Sequence, residues 1–212
     1  MSGTRRAATL PVGFFDRDAV SVARGLLGAL LVTEFRGCRT VGRIVEVEAY
    51  LGAEDPASHA FRYRRHAHNG SLYLGPGTWY VYLSYGMHWC ANLVAGPSGL
   101  GAAVLLRAIE PVAGLPAMKR RRGRTESAVL GAGPGRLCEA LGITRPRLDG
   151  QPMRKSPARI LAGVAPDPDM IVATPRIGIT KAADWPLRFL LWDSKWASGG
   201  WLGGRGSAGV MK

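Results

Sequence analysis

Two carboxylates and a phenol alternate along one stretch of the chain, Arg43-Ile44-Val45-Glu46-Val47-Glu48-Ala49-Tyr50-Leu51. Side chains of an extended strand repeat every two residues. Glu46, Glu48 and Tyr50 therefore share one face, and Val45, Val47, Ala49 and Leu51 share the other. A carboxylate beside an aromatic wall can act as a general base next to a stacked ligand. The same pattern also suits a solvated sheet face crossed by ion pairs. Arg107 lies within the apolar run Ala102-Ala103-Val104-Leu105-Leu106-Arg107-Ala108-Ile109. A charge in such a run must find a carboxylate or a ligand.

A second candidate is the aromatic segment Thr78-Trp79-Tyr80-Val81-Tyr82-Leu83-Ser84-Tyr85-Gly86-Met87-His88-Trp89-Cys90-Ala91-Asn92. Gly86 can take the positive φ of a tight hairpin turn, which puts Tyr85 at an exposed apex. An aromatic tip gains little from folding, and insertion between base pairs would fill the gap left by a flipped nucleotide. Tyr80 and Tyr82 share one face, and His88, Cys90 and Asn92 share one. Four histidines occur, His59, His66, His68 and His88. The pair His66-x-His68 has no matched Cys or carboxylate spacing, so no metal site is assigned. The run Lys119-Arg120-Arg121-Arg122-Gly123-Arg124 reads as a solvated loop or a phosphate-binding strip.

These residues need a scaffold. A helix is expected at about 17–27, capped by Asp16 or Asp18 and ended by Gly28. Strands are expected at 29–35, 40–51, 78–85, 87–95, 102–109, 170–179 and 186–193. A basic, glycine-containing loop spans 52–77. Residues 111–160 are broken by Pro, Gly and Arg, with a short helical pattern at Leu137, Ala140 and Leu141 ending at Gly142. No linker divides two cores. The expected fold is α+β, a single mixed domain with a mainly antiparallel, curved sheet and flanking helices. Residues 1–12 read as a flexible N-terminus, 13–198 as the domain, and 199–212 as a flexible Gly-rich tail.

Composition bounds the partner. The 212 residues carry 28 Lys and Arg against 15 acids, a net charge of +13. That excess favours a polyanionic partner, and phosphate gripped bidentately suits the dominance of Arg over Lys. Cys38, Cys90 and Cys138 are an odd, widely spaced set, which argues against a disulfide framework and for a reducing compartment. No apolar stretch is long enough for a membrane span. The expectation is a cytoplasmic, nucleoid-associated protein with no membrane partner.

Taken in order, these words resemble the alkyladenine (3-methyladenine) DNA glycosylase family. They are Arg43 to Gly52, Glu54-Asp55-Pro56-Ala57-Ser58-His59, Gly75 to Met87, and Asn92. Further along come Val104 to Pro111, Gly133 to Cys138, Pro175-Arg176-Ile177-Gly178-Ile179, and Pro186-Leu187-Arg188-Phe189. The likeness runs from about residue 12 to 198.

The resemblance implies a mixed α/β domain rather than a helix-hairpin-helix one. It implies a monomer acting on double-stranded DNA that carries a damaged purine, with no cofactor and no metal. It implies that Glu48 activates water and that Arg107 positions water and carboxylate. Tyr50 would stack on the flipped base, with His59 and Tyr82 as further walls. Asn92 would crowd the exocyclic amino group of normal guanine. Tyr85, with Met87, would be the intercalating finger. Where the family commonly has Thr-x-Arg-Asn, this chain has His66-Ala67-His68-Asn69, and Arg62, Arg64 or Arg65 would have to supply that backbone contact.

The implied reaction is hydrolytic excision of alkylated purines, 3-methyladenine and 7-methylguanine, extending to deaminated and etheno-modified ones. A purine alkylated at N3 or N7 is a cationic leaving group, so one carboxylate suffices to steady the sugar cation and deprotonate water. No lysine lies in the matched words, so a Schiff-base lyase step is not expected. Two alternatives stand beside it: a non-catalytic binder of damaged DNA or RNA that uses the same basic, aromatic surface, and a basic structural or ribosome-associated protein.

Overall fold

The computed structural model describes residues 7–199. The first helices are α1 (Val12–Phe15) and α2 (Ala19–Leu26). Asp18 caps α2 by accepting from the Ser21 N–H at 2.8 Å, the partner an orphan first-turn donor requires. The helix buries Ala19, Val22, Ala23 and Leu26 on one side.

The strands are β1 (Leu30–Phe35), β2 (Cys38–Tyr50), β3 (Trp79–Ser84), β4 (His88–Ala95), β5 (Ala102–Ala113), β6 (Ala158–Leu161), β7 (Ile171–Thr174) and β8 (Arg188–Leu191). They lie in the order β3-β4-β5-β2-β1-β6, with β8 joined to β2 and β7 to β8. Every pairing is antiparallel. The result is the expected α+β fold with a curved antiparallel sheet.

Strand β2 is the spine. Its first half pairs with β1 and its second half with β8, while β5 runs along its other edge. Register shifts against β5 fall between Ile44 and Glu46 and between Glu46 and Val47. Such bulges turn a side chain away from strict alternation. Ile44, Val47 and Ala49 all enter the main core, so the phase of the strand changes across the bulge. Val45 is buried but stands outside that core cluster, a correction to strict alternation.

The basic stretch after β5 holds three helices, α3 (Leu115–Arg122), α4 (Pro134–Leu141) and α5 (Arg145–Leu148). The expected pattern at 137–141 is α4, with Gly142 left-handed at its end. Lys119 to Arg122 form the last turn of α3 and are not a loop. Cations there complement the helix dipole.

Residues 1–6 lie outside the described residues, but residues 8–10 are tied to the edge strand β6. Leu10 N–H donates to Ile160 at 2.9 Å and Ala162 N–H to Ala8 at 2.8 Å. An open edge leaves backbone groups that need partners, and the chain start supplies them. Phe15 follows, fully buried. Of the Gly-rich stretch, only Gly199 falls within the described residues.

Candidate active site

The second half of β2 is held between β5 and β8, with Glu48 opposite Leu105 on one side and Arg188 on the other. This placement buries both Glu46 and Glu48 completely, so the solvated-face alternative does not hold. Arg107, on β5, meets both. Its Nε donates to Glu46 at 2.8 Å and its Nη1 lies 3.1 Å from Glu48 Oε1. Glu48 Oε1 also accepts from the Ile177 N–H at 2.8 Å, and Oε2 from the Tyr50 hydroxyl at 2.9 Å. Burial pushes the Glu48 carboxyl above its ordinary range, against the opposing pull of Arg107 and the two hydrogen bonds.

A cavity of about 420 Å³ opens over these residues. Tyr50, Arg107 and Ile177 line it, and Glu48 lies one layer behind, bonded to all three. Tyr80, Tyr82, Cys90 and Asn92 come from the β3–β4 hairpin, and His59 from the loop after β2. The size suits a small aromatic ligand.

The walls are fixed by their own contacts. Tyr80 and Tyr82 stack at 5.4 Å between ring centroids, and His59 meets the Tyr82 ring edge-on at 4.6 Å. His59 Nδ1 is 2.6 Å from the Tyr80 hydroxyl. Desolvation, with the charges of His66 and Arg64, holds the His59 imidazole below its usual value, which favours the neutral ring. Asn92 is buried and donates through Nδ2 to the Tyr80 carbonyl at 3.0 Å. Burial keeps the Tyr82 and Tyr50 phenols protonated, both raised well above the usual tyrosine value.

The hairpin tip borders the same cavity through Ser84 and Tyr85. Tyr85 is 83 % exposed. Both central turn residues have positive φ, 50° at Tyr85 and 69° at Gly86, and the Met87 N–H closes onto Ser84 at 3.1 Å. Two-residue hairpins of this kind favour Asn or Asp before Gly. A tyrosine in the left-handed region, with its ring in solvent, is maintained against its conformational preference. Met87 is also exposed and lines a separate groove with His88 and Trp89.

The methylpurine-DNA glycosylase family model matches residues 13–195. A candidate 3-methyladenine DNA glycosylase of Methanoculleus marisnigri is 49% identical over 194 residues, covering 90% of this chain and 98% of its own. One from Agrobacterium fabrum is 46% identical over 189 residues, covering 89% and 92%. One from Rhodopseudomonas palustris is 48% identical over 185 residues, covering 87% and 85%.

The chain belongs to the methylpurine-DNA glycosylase family. It is a DNA glycosylase, a hydrolase of N-glycosyl bonds acting on DNA. The alternative of a non-catalytic binder gives way to an enzyme.

Three parts of the glycosylase's site were not assigned from sequence. The first is Glu46 with Arg188 and Ser198, a buried network behind Arg107. The second is the buried pair Asp55–Arg176. Arg176 Nη2 donates to Asp55 Oδ1 at 2.8 Å, Nη1 to the Ala49 carbonyl at 3.0 Å, and its guanidinium lies 4.6 Å from the Tyr50 ring centroid. Asp55 also accepts from the Leu51 and Ala57 N–H groups, which shapes the loop that presents His59. The third is Tyr80. Only the apolar company of Arg107 hinted at such pairs. His66 and His68 lie outside the cavity lining, and His68 Nδ1 is 2.9 Å from Arg145 Nη1. Among the described residues, no group of three or more His, Cys, Asp and Glu is placed to hold a metal ion, and no helix is long and apolar enough to cross a membrane.

Proposed function

We propose that this glycosylase flips an alkylated purine out of duplex DNA into the cavity and hydrolyses its bond to the sugar. The single observation that carries the reading is the sharing of contacts around Glu48. Three residues bonded to this buried carboxylate line a purine-sized cavity that also reaches the strained aromatic tip. Tyr50 stacks on the base, and Tyr82 and His59 close the other walls. Asn92, fixed by Tyr80, crowds the amino group of guanine. Tyr85, with Met87 beside it, fills the space left in the stack.

Glu48 deprotonates water and steadies the sugar cation, and Arg107 orients both. The raised proton affinity of Glu48 makes it a stronger base than an exposed carboxylate. The names of the relatives point to 3-methyladenine, and cationic leaving groups extend the range to 7-methylguanine. Deaminated and etheno-modified purines fit the same walls but need protonation of the base. No lysine lines the cavity among the described residues, which supports release of base without strand cleavage. The enzyme works as a monomer in the cytoplasm, on the nucleoid.

Incubation with duplexes carrying single defined lesions, scored for abasic sites, tests this reading. Abasic sites at methylated purines, without strand breaks, are expected. Release confined to pyrimidine lesions would overturn it.

A further inference from the structure

Glu46 is fully buried and does not line the cavity, yet its carboxylate accepts four hydrogen bonds. Its Oε1 accepts from Arg107 Nε at 2.8 Å, Arg188 Nε at 2.7 Å and Ser198 Oγ at 2.7 Å, and its Oε2 accepts from the Ser198 N–H at 2.5 Å. Arg188 also reaches the Ser198 carbonyl at 2.8 Å. A buried charge is a poor way to gain stability alone, because desolvation opposes the attraction of its partners. The geometry of Arg107 indicates another use. Its Nε is engaged by Glu46, its Nη1 by Glu48 and its Nη2 by Ser198 Oγ at 3.1 Å. The planar fork therefore has one allowed setting. Without Glu46, the guanidinium is free to turn and take Glu48 bidentately, which would occupy the oxygens that water needs.

We propose that Glu46 is a positioning residue for base excision: it holds Arg107 by its Nε edge so that Glu48 keeps a site for water, and through Arg188 and Ser198 it makes the segment 188–198 part of the active site. The proposal rests on the reading of Glu48 as the base.

The charge has a signed consequence. The groups acting on Glu48 are Glu46 and Tyr50 on β2, Arg107 on β5, the Ile177 N–H before β8 and Cys90 on the hairpin, with Arg188 opposite it on β8; Tyr82 and Arg176 act on Tyr50. Glu46 raises the Glu48 carboxyl, in the same direction as burial. Removing that charge lets Glu48 ionise at lower pH, so the acid limb of the rate profile moves down.

The test compares Glu46→Gln, Glu46→Asp and Glu48→Gln in single-turnover base release from methylated duplex DNA across pH. Affinity is measured on a 7-methylguanine duplex whose target sugar carries a 2′-fluorine that blocks departure of the base. Glu46→Gln should lose about tenfold or more in rate at the plateau, with affinity nearly unchanged. Its acid limb should move to lower pH, whereas Glu46→Asp, which keeps the charge, should be slower with the limb in place. A general loosening of the site would shift both limbs alike and weaken binding, and that result overturns the proposal. So does an unchanged rate in Glu46→Gln. If Glu46→Gln does not fold, Ser198→Ala removes one bond to Glu46 and one to Arg107, and should slow release about threefold to tenfold at retained affinity. An unchanged rate there would equally overturn the proposal. Glu48→Gln separates the two claims. Loss of activity in it beside a fully active Glu46→Gln defeats the positioning role alone, while an active Glu48→Gln defeats the base assignment.

Discussion

The Tyr50 hydroxyl donates a 2.9 Å hydrogen bond to Glu48 Oε2, so the residue proposed to stack on the base also holds the carboxylate proposed to activate water. The two roles are separable. Tyr50→Phe keeps the ring and removes the bond. A hydrogen bond to a charged group is worth about 1.5–3 kcal/mol, so base release should fall roughly tenfold or more. The bond favours the ionised carboxyl, so its loss should also move the acid limb to higher pH. Binding of a lesion duplex should hold for Tyr50→Phe and weaken for Tyr50→Leu, as measured by titration.

Glu48 should trade stability for activity. Its folded value is raised by burial, above that of the unfolded chain. A carboxyl shifted this way favours the folded state most when protonated, below the unfolded value. That contribution fades as pH rises from the ordinary carboxylate range through the raised value. Once ionised, Glu48 is therefore a burden on the fold. Glu48→Gln should melt at the same or a higher temperature than the parent at pH 7, since Arg107 keeps Glu46. The gap should narrow as pH falls. Thermal denaturation across that range checks both signs.

Tyr85 presents the same trade at the hairpin tip. Its φ of 50° is one that glycine adopts without penalty. Tyr85→Gly should stabilise the protein by up to about 1 kcal/mol while weakening capture of the lesion, because the gap in the base stack is left open. Urea denaturation and single-turnover release measure the two effects. A variant that excises at the parent rate would remove the intercalating role.

Asp55 and Arg176 should behave as one unit. Both side chains are fully buried, and they pair across 121 positions. Removing one partner leaves an uncompensated buried charge, so Asp55→Ala should cost about 3–5 kcal/mol in chemical denaturation. The double replacement Asp55→Ala with Arg176→Met should cost clearly less than the two single changes added together.

Much of this site can be read along the chain, and the remainder depends on contacts between distant segments. The alternation at 43–51 picks out Glu48 and Tyr50, because strand geometry is local. The Tyr85-Gly86 turn is legible for the same reason, as is α2, with Asp18 before it and Gly28 after it. The bulge at Glu46 is different. It arises from pairing with β5, some sixty residues away, and nothing near Glu46 announces it. Burial of Glu46 needs Arg107, Arg188 and Ser198, which lie on three later segments. The helix α3 was hidden by its run of arginines, which reads as a loop until the carbonyls of its last turn are seen to need positive charge. Strand β6 is not legible in the sequence, because its four residues are recognisable only by pairing with β1. Strands β7 and β8 are shorter than the apolar runs suggest, since pairing sets their length.

The central claim is that Glu48 activates the water that displaces the purine. Single-turnover release of free base from methylated duplex DNA by Glu48→Gln tests it most directly, with folding checked by melting. The account predicts a rate reduced about 10²- to 10⁴-fold, as befits a lost general base, with lesion binding intact. Release at the parent rate would contradict it.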